Sequence, residues 1–76
     1  MIKAYVLSNC QRCEELKRFL RKNSIAFQEL NVEENPRALA KMEFNGIDMY
    51  PTIEINGILY SDEVERLKKI ISDRRR

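Results

Sequence analysis

At 76 residues the chain is the size of one domain, and a chain this short buries only about 60% of the surface its unfolded form exposes, so the core must be continuous. Hydrophobic residues at 43%, charged residues at 34% and only two Pro and two Gly exclude disorder and low complexity. The 14 Lys and Arg are interspersed with 12 Asp and Glu for a net charge of +2, which excludes the large single-sign field of a nucleic-acid binder.

Ile2 to Leu7 is a nearly continuous apolar run with Ile2, Tyr5 and Val6 as strand formers, which suits a strand buried on both faces. Ser8-Asn9 ends it. Apolar positions then recur at three and four, at Cys13, Leu16, Phe19 and Leu20, while Glu14, Glu15, Lys17 and Arg18 fall elsewhere, predicting an amphipathic helix to about Asn23. Ile25 to Val32 reads as a second strand, with Gln28 and Glu29 in its middle. Asn35-Pro36 supplies an N-cap and a proline at the first helical position; Leu39, Met42 and Phe44 are the expected buried side of that helix, and Asn45-Gly46 closes it.

Pro51 to Asn56 alternates Ile53 and Ile55 against Thr52 and Glu54, and Asn56-Gly57 is the pair favoured by a type I′ hairpin turn, so Ile58 to Tyr60 is the returning strand. Asp62 and Glu65 form a capping-box pattern before a last helix with Val64, Leu67, Ile70 and Ile71 as its buried stripe. The order β-α-β-α-β-β-α predicts a parallel first unit, a terminal hairpin and a four-stranded mixed sheet with helices on both faces. Residues 1–76 form a single domain in this reading, with 72–76 a frayed basic tail ending in Arg74, Arg75 and Arg76.

No apolar stretch approaches the roughly 20 residues of a spanning helix, and Met1-Ile2-Lys3 leads into a strand-like run rather than a signal peptide. A cytoplasmic monomer is expected, with no membrane and no nucleic-acid partner.

Cys10 and Cys13 carry the chemistry. A bridge between them encloses too small a loop to stabilise the fold appreciably, and the chain has two cysteines and no histidine, short of the four ligands of a zinc or iron-sulfur site. Cys10 falls at the mouth of the first helix, where free N–H groups and the helix dipole favour a thiolate, with Arg12 adding a cation. Cys13, one turn on, is placed to resolve a mixed disulfide formed at Cys10. Two other classes stay open: a non-catalytic protein-binding module on the same fold, and a carrier holding a metal between the thiolates of two subunits.

On the initial strand, Cys10-Gln11-Arg12-Cys13, the stretch Asn31 to Pro36, Tyr50-Pro51 and Asn56-Gly57, the chain resembles the glutaredoxin family, a branch of the thioredoxin-like fold. The resemblance implies a dithiol–disulfide oxidoreductase that reduces protein disulfides, with Cys10 as nucleophile and Cys13 as resolving residue. It also implies a cis Pro51 facing the active cysteine, a Tyr50 backbone that pairs with substrate, and substrate contacts from Gln11, Arg12, Tyr60, Ser61 and Asp62. No bound cofactor is implied; the external reductant is glutathione or an NADPH-dependent thioredoxin reductase. The chain departs from the common family pattern in having Gln11-Arg12 in place of Pro-Tyr, Leu7 in place of a cation, and Tyr60-Ser61-Asp62 in place of the Gly-Gly and Asp that hold a glutathione carboxylate. Gln11 and Tyr60-Ser61 are similar to the small redoxins that donate hydrogen to ribonucleotide reductase.

Overall fold

The computed structural model describes residues 1–74. The elements are β1 (Ile2–Val6), α1 (Gln11–Lys22), β2 (Phe27–Asn31), α2 (Pro36–Phe44), β3 (Thr52–Ile55), β4 (Ile58–Ser61) and α3 (Val64–Arg74). They form one four-stranded sheet in the order β2-β1-β3-β4. β1 pairs parallel with β2 and β3 pairs antiparallel with β4, as the order of elements predicts, and β1 also pairs antiparallel with β3. Among the described residues no helix is long and apolar enough to cross a membrane.

Capping sets the limits of the helices. Asn35 accepts the Ala38 N–H at 3.1 Å with Pro36 at the first position of α2. At the other end Ile47 N–H reaches Met42 O at 2.8 Å and Gly46 N–H reaches Glu43 O at 3.1 Å, a Schellman motif whose positive φ falls on Gly46. The same motif ends α1, with Ile25 N–H on Leu20 O at 2.9 Å and Ser24 in the left-handed position. Asn56 and Gly57 both have positive φ, the geometry a two-residue turn between β3 and β4 needs.

The core lies on two sides of the sheet. Leu16 and Leu20 of α1 and Val64, Leu67 and Ile71 of α3 pack with Ile53 and Ile55, while Ala38 and Met42 of α2 join the cluster containing Tyr5, Val32 and Tyr50. Burial therefore departs from the sequence pattern at α2. Its inward stripe is Ala38 and Met42; Leu39 is 38% exposed and Phe44 91% exposed, because the proline start and the Asn35 cap fix the helix phase one position away from Leu39.

Three polar side chains expected outside are also buried. Lys17, Thr52 and Glu54 are 8%, 0% and 7% exposed. Lys17 shares a helix face with Cys13, four residues before it, and its ammonium reaches Glu14 at 2.8 Å and Glu29 of β2 at 2.9 Å. The Glu14 hydrogen bond, followed by that of Glu29, holds its pKa above the usual lysine value against the opposing cost of burial. Glu54 accepts the Tyr5 hydroxyl at 2.6 Å and Lys41 at 2.8 Å. β3 lies between β1 and β4 with α2 over its Glu54 side, so strict alternation in its sequence does not mean one wet face.

The last helix begins one residue later than the capping box predicts. Asp62 Oδ1 accepts the N–H of Glu63 at 2.7 Å, and Leu67 N–H bonds Glu63 O at 3.0 Å. α3 then continues through Arg74, so residues 72–74 are helical where a frayed tail is expected. The Arg74 guanidinium lies 5.6 Å from the Tyr60 ring centroid and donates to its hydroxyl, fixing the final turn to β4. Arg75 and Arg76 lie outside the described residues.

The Glu54 carboxyl is held below its ordinary value, first by the Lys41 hydrogen bond and next by Tyr5. A carboxyl depressed in the folded state stabilises the fold above its unfolded value, and that stabilisation is lost as pH falls through the folded value. Tyr5→Phe should therefore cost about 1.5–3 kcal/mol at neutral pH, and the cost should shrink in acid. Urea unfolding of both proteins near pH 7 and again near pH 3 measures this; a pH-independent difference contradicts it.

Candidate active site

The site is assembled at the end of β1, where the chain reverses through Ser8 and Asn9. Asn9 takes a positive φ of 53°, which asparagine tolerates better than most residues, and this turn sets Cys10 at the N-cap of α1. Two hydrogen bonds tie the turn to the end of β2 and the segment that follows it, and a third braces that segment. Ser8 N–H donates to Glu33 Oε1 at 2.7 Å, Asn31 Nδ2 donates to Ser8 Oγ at 3.0 Å, and Glu33 N–H donates to Asn31 Oδ1 at 2.8 Å.

An N-cap side chain normally offers an oxygen to the free N–H groups of the first turn. Here the cap is a sulfur. Cys10 Sγ accepts the Cys13 N–H at 3.1 Å, and Cys10 O accepts Glu14 N–H at 3.1 Å. The two cysteines are joined as a disulfide with Cα atoms 5.2 Å apart. Their environments differ: Cys13 is fully buried, in one cluster with Val6, Val32 and Tyr50, whereas Cys10 is partly exposed at the edge of that cluster.

A groove of about 320 Å³ is lined by Arg12, which stands between the two cysteines in sequence, while neither cysteine is part of its lining. α1 contributes Arg12 and Glu15, the segment before β3 contributes Met49, Tyr50 and Pro51, and the start of α3 contributes Asp62, Glu63, Val64 and Glu65. The Tyr50–Pro51 peptide bond is cis. Tyr50 and Pro51 are buried, and burial, then the carboxylates of Glu43 and Asp48, push the Tyr50 phenol up. The ring is thus a neutral wall beside the sulfurs.

A strand-to-helix turn bearing two bonded cysteines, with a cis-proline segment beside it, narrows the possibilities to a redox fold. The glutaredoxin family model matches residues 2–59. The chain belongs to the glutaredoxin family. It is 31% identical over 61 residues to the glutaredoxin-like protein NrdH of Lactococcus lactis subsp. cremoris strain MG1363 and, equally, to that of subsp. lactis strain IL1403, matches that span 80% of this chain and 85% of theirs. Among solved structures, the thioredoxin-like protein BC3987 superposes with a TM-score of 0.80 at 25% identity, over 92% of this chain and 99% of that one. The NrdH-redoxin of Escherichia coli superposes at 0.73 with 24% identity, over 87% and 92%. This glutaredoxin-family chain is a thiol–disulfide oxidoreductase with its dithiol at Cys10 and Cys13.

Of the other residues singled out in the sequence, Arg12, Tyr50, Pro51 and Asp62 converge on the groove. Gln11 is exposed at the first position of α1 and lies outside the groove lining. Tyr60 and Ser61 are also outside it. Tyr60 packs against the α1–α3 side of the core beneath Arg74, and Ser61 Oγ lies 3.2 Å from Thr52 Oγ1, which donates to Met49 O at 2.7 Å. Sequence reasoning missed Met49 and the carboxylates Glu63 and Glu65 as groove residues, and missed Asn31 and Glu33 as supports of the active turn. An Asn followed two residues later by a glutamate, just past a strand, is the local signal for that last pair, since asparagine readily bonds the N–H two residues on.

Glu33→Ala removes the acceptor for Ser8 N–H. Because the bond is exposed the stability cost should be about 0.5–1 kcal/mol, while amide exchange at Ser8 should rise roughly fivefold, the factor corresponding to about 1 kcal/mol. Hydrogen exchange resolved to Ser8 checks this; unchanged protection would show that Glu33 does not hold the turn.

Proposed function

We propose that Cys10 is the attacking sulfur and Cys13 the resolving one in a cycle that carries two electrons to disulfides of partner proteins. The Cys10 thiolate attacks one sulfur of the partner disulfide, forming a mixed disulfide and expelling the partner's other sulfur as a thiolate. Cys13 then loses its proton and attacks Cys10, closing the ring and releasing the second partner sulfur. Two electrons have passed to the partner, whose two released thiolates take up the proton lost by Cys13 and one from solvent, and the bond between Cys10 and Cys13 remains to be reopened.

The observation that carries this division of labour is the unequal burial of the two sulfurs. A partner sulfur can approach partly exposed Cys10 and cannot approach fully buried Cys13. The Cys13 N–H on Cys10 Sγ and the first turn of a 12-residue helix both stabilise negative charge on the attacking sulfur. In this reading the backbone of Tyr50 pairs with an extended partner segment in the manner of an added strand, and Pro51, Arg12 and Asp62 shape its path.

The reductant we propose is an NADPH-dependent thioredoxin reductase rather than glutathione. Glutathione presents two carboxylates, and one backbone donor at the start of α3 that could hold one, the Glu63 N–H, already has the Asp62 carboxylate on it at 2.7 Å. Similarity to the NrdH proteins and the redoxin-like Gln11 support ribonucleotide reductase as a target, in the reducing cytoplasm where dithiols persist.

Cys10→Ser should abolish reduction of a protein disulfide. Cys13→Ser should lower steady turnover by ~100-fold or more while accumulating a mixed disulfide at Cys10, seen as an added partner mass that dithiothreitol removes. NADPH oxidation should run with thioredoxin reductase and stay near background with glutathione and its reductase. Turnover by Cys10→Ser, or trapping at Cys13, would reject the assignment.

A further inference from the structure

The groove beside the dithiol has a charge pattern that sulfur exchange itself does not require. Its apolar lining comes from Met49, Tyr50, Pro51 and Val64, with Met49 41% exposed. The start of α3 adds Asp62, Glu63 and Glu65, and α1 adds Glu15 three residues beyond Arg12, the only cation in the lining among the described residues. Lys68 neutralises two of these carboxylates, Glu15 at 3.0 Å and Glu65 at 3.1 Å. Asp62 is held more loosely, 3.7 Å from Arg66, and Glu63 has no ion pair among the described residues. Negative charge at the groove is thus concentrated at Asp62-Glu63, next to the apolar patch of Met49 and Val64.

A carboxylate entering here meets two carboxylates and a helix-start N–H already taken by Asp62, with Arg12 of the opposite wall as its single cation among the described residues. A cation meets two acceptors. We infer that the groove is a docking site for an extended segment of a partner protein that carries a lysine or arginine within a few residues of its disulfide cysteine. The cation lies against Asp62 and Glu63, and an apolar neighbour lies against Met49 and Val64. The inference rests on Cys10 and Cys13 being the working dithiol, and it names the class of disulfide that this dithiol prefers.

Three short peptide disulfides, identical except for Lys, Gln or Glu beside the cysteine, test it against the pre-reduced full-length protein, with dithiol oxidation followed by stopped flow. At low ionic strength the Lys peptide should react about fivefold faster than the Gln peptide, with the Glu peptide slowest, the scale of one exposed ion pair. The spread should narrow in about 0.5 M salt, where screening shortens the reach of charge. The Lys-to-Glu rate ratio should fall to within about twofold in an Asp62→Asn, Glu63→Gln variant. Glu63→Gln alone should lower the same ratio part-way, keeping the Asp62 contact that begins α3. Equal rates, a preference for Glu, or a full ratio in the double variant would overturn the docking site while leaving the exchange chemistry standing. Failure of every peptide to oxidise the dithiol would overturn the exchange chemistry and the docking site together.

Discussion

The chemistry of this protein depends on a sulfur occupying the N-cap of α1. A serine or aspartate there would give the free N–H groups an oxygen; Cys10 gives them Sγ, with the Cys13 N–H at 3.1 Å. The same helical turn points Cys13 inward, on the buried face of α1 that continues at Leu16, Lys17 and Leu20. One geometric fact thus creates a partly exposed sulfur that accepts a backbone N–H and a fully buried one bonded to it. The Asn9 turn and its ties to Asn31 and Glu33 hold that arrangement at the end of the central part of the sheet.

The groove extends the same logic outward. Its walls come from three separate parts of the chain, α1, the segment at Tyr50-Pro51 and the start of α3, so its shape exists only when both sides of the core are packed. Tyr60 and Ser61 lead into an acidic helix start in which the Asp62 carboxylate accepts the N–H of Glu63. Tyr60, in turn, serves α3 rather than the groove, stacking under Arg74.

Most of the architecture was legible because local signals agreed with the tertiary outcome. Asn35-Pro36, Asn45-Gly46 and Asn56-Gly57 mark two helix limits and a hairpin through positive φ and capping, which are properties of the backbone alone. The misread charged residues share one cause. Lys17 and Glu54 look like surface residues until their partners are known, and Glu29, Lys41 and Tyr5 come from distant positions. Leu39 and Phe44 fail in the opposite sense: their side chains suit a core, but the helix phase turns them outward. The cysteine pair was legible from spacing and its strand-to-helix context, whereas the carboxylate side of the groove was not, since nothing in the linear order brings Glu63 toward Pro51.

The division between an open and a closed sulfur is tested most directly by alkylating the reduced protein with a small neutral reagent and locating the adduct by mass spectrometry across a range of pH. The account predicts modification at Cys10 well before Cys13, already fast in mildly acidic solution where an unperturbed cysteine is almost entirely protonated. Equal labelling of the two residues, earlier labelling of Cys13, or a Cys10 rate that rises only with the ionisation of an ordinary thiol would contradict it.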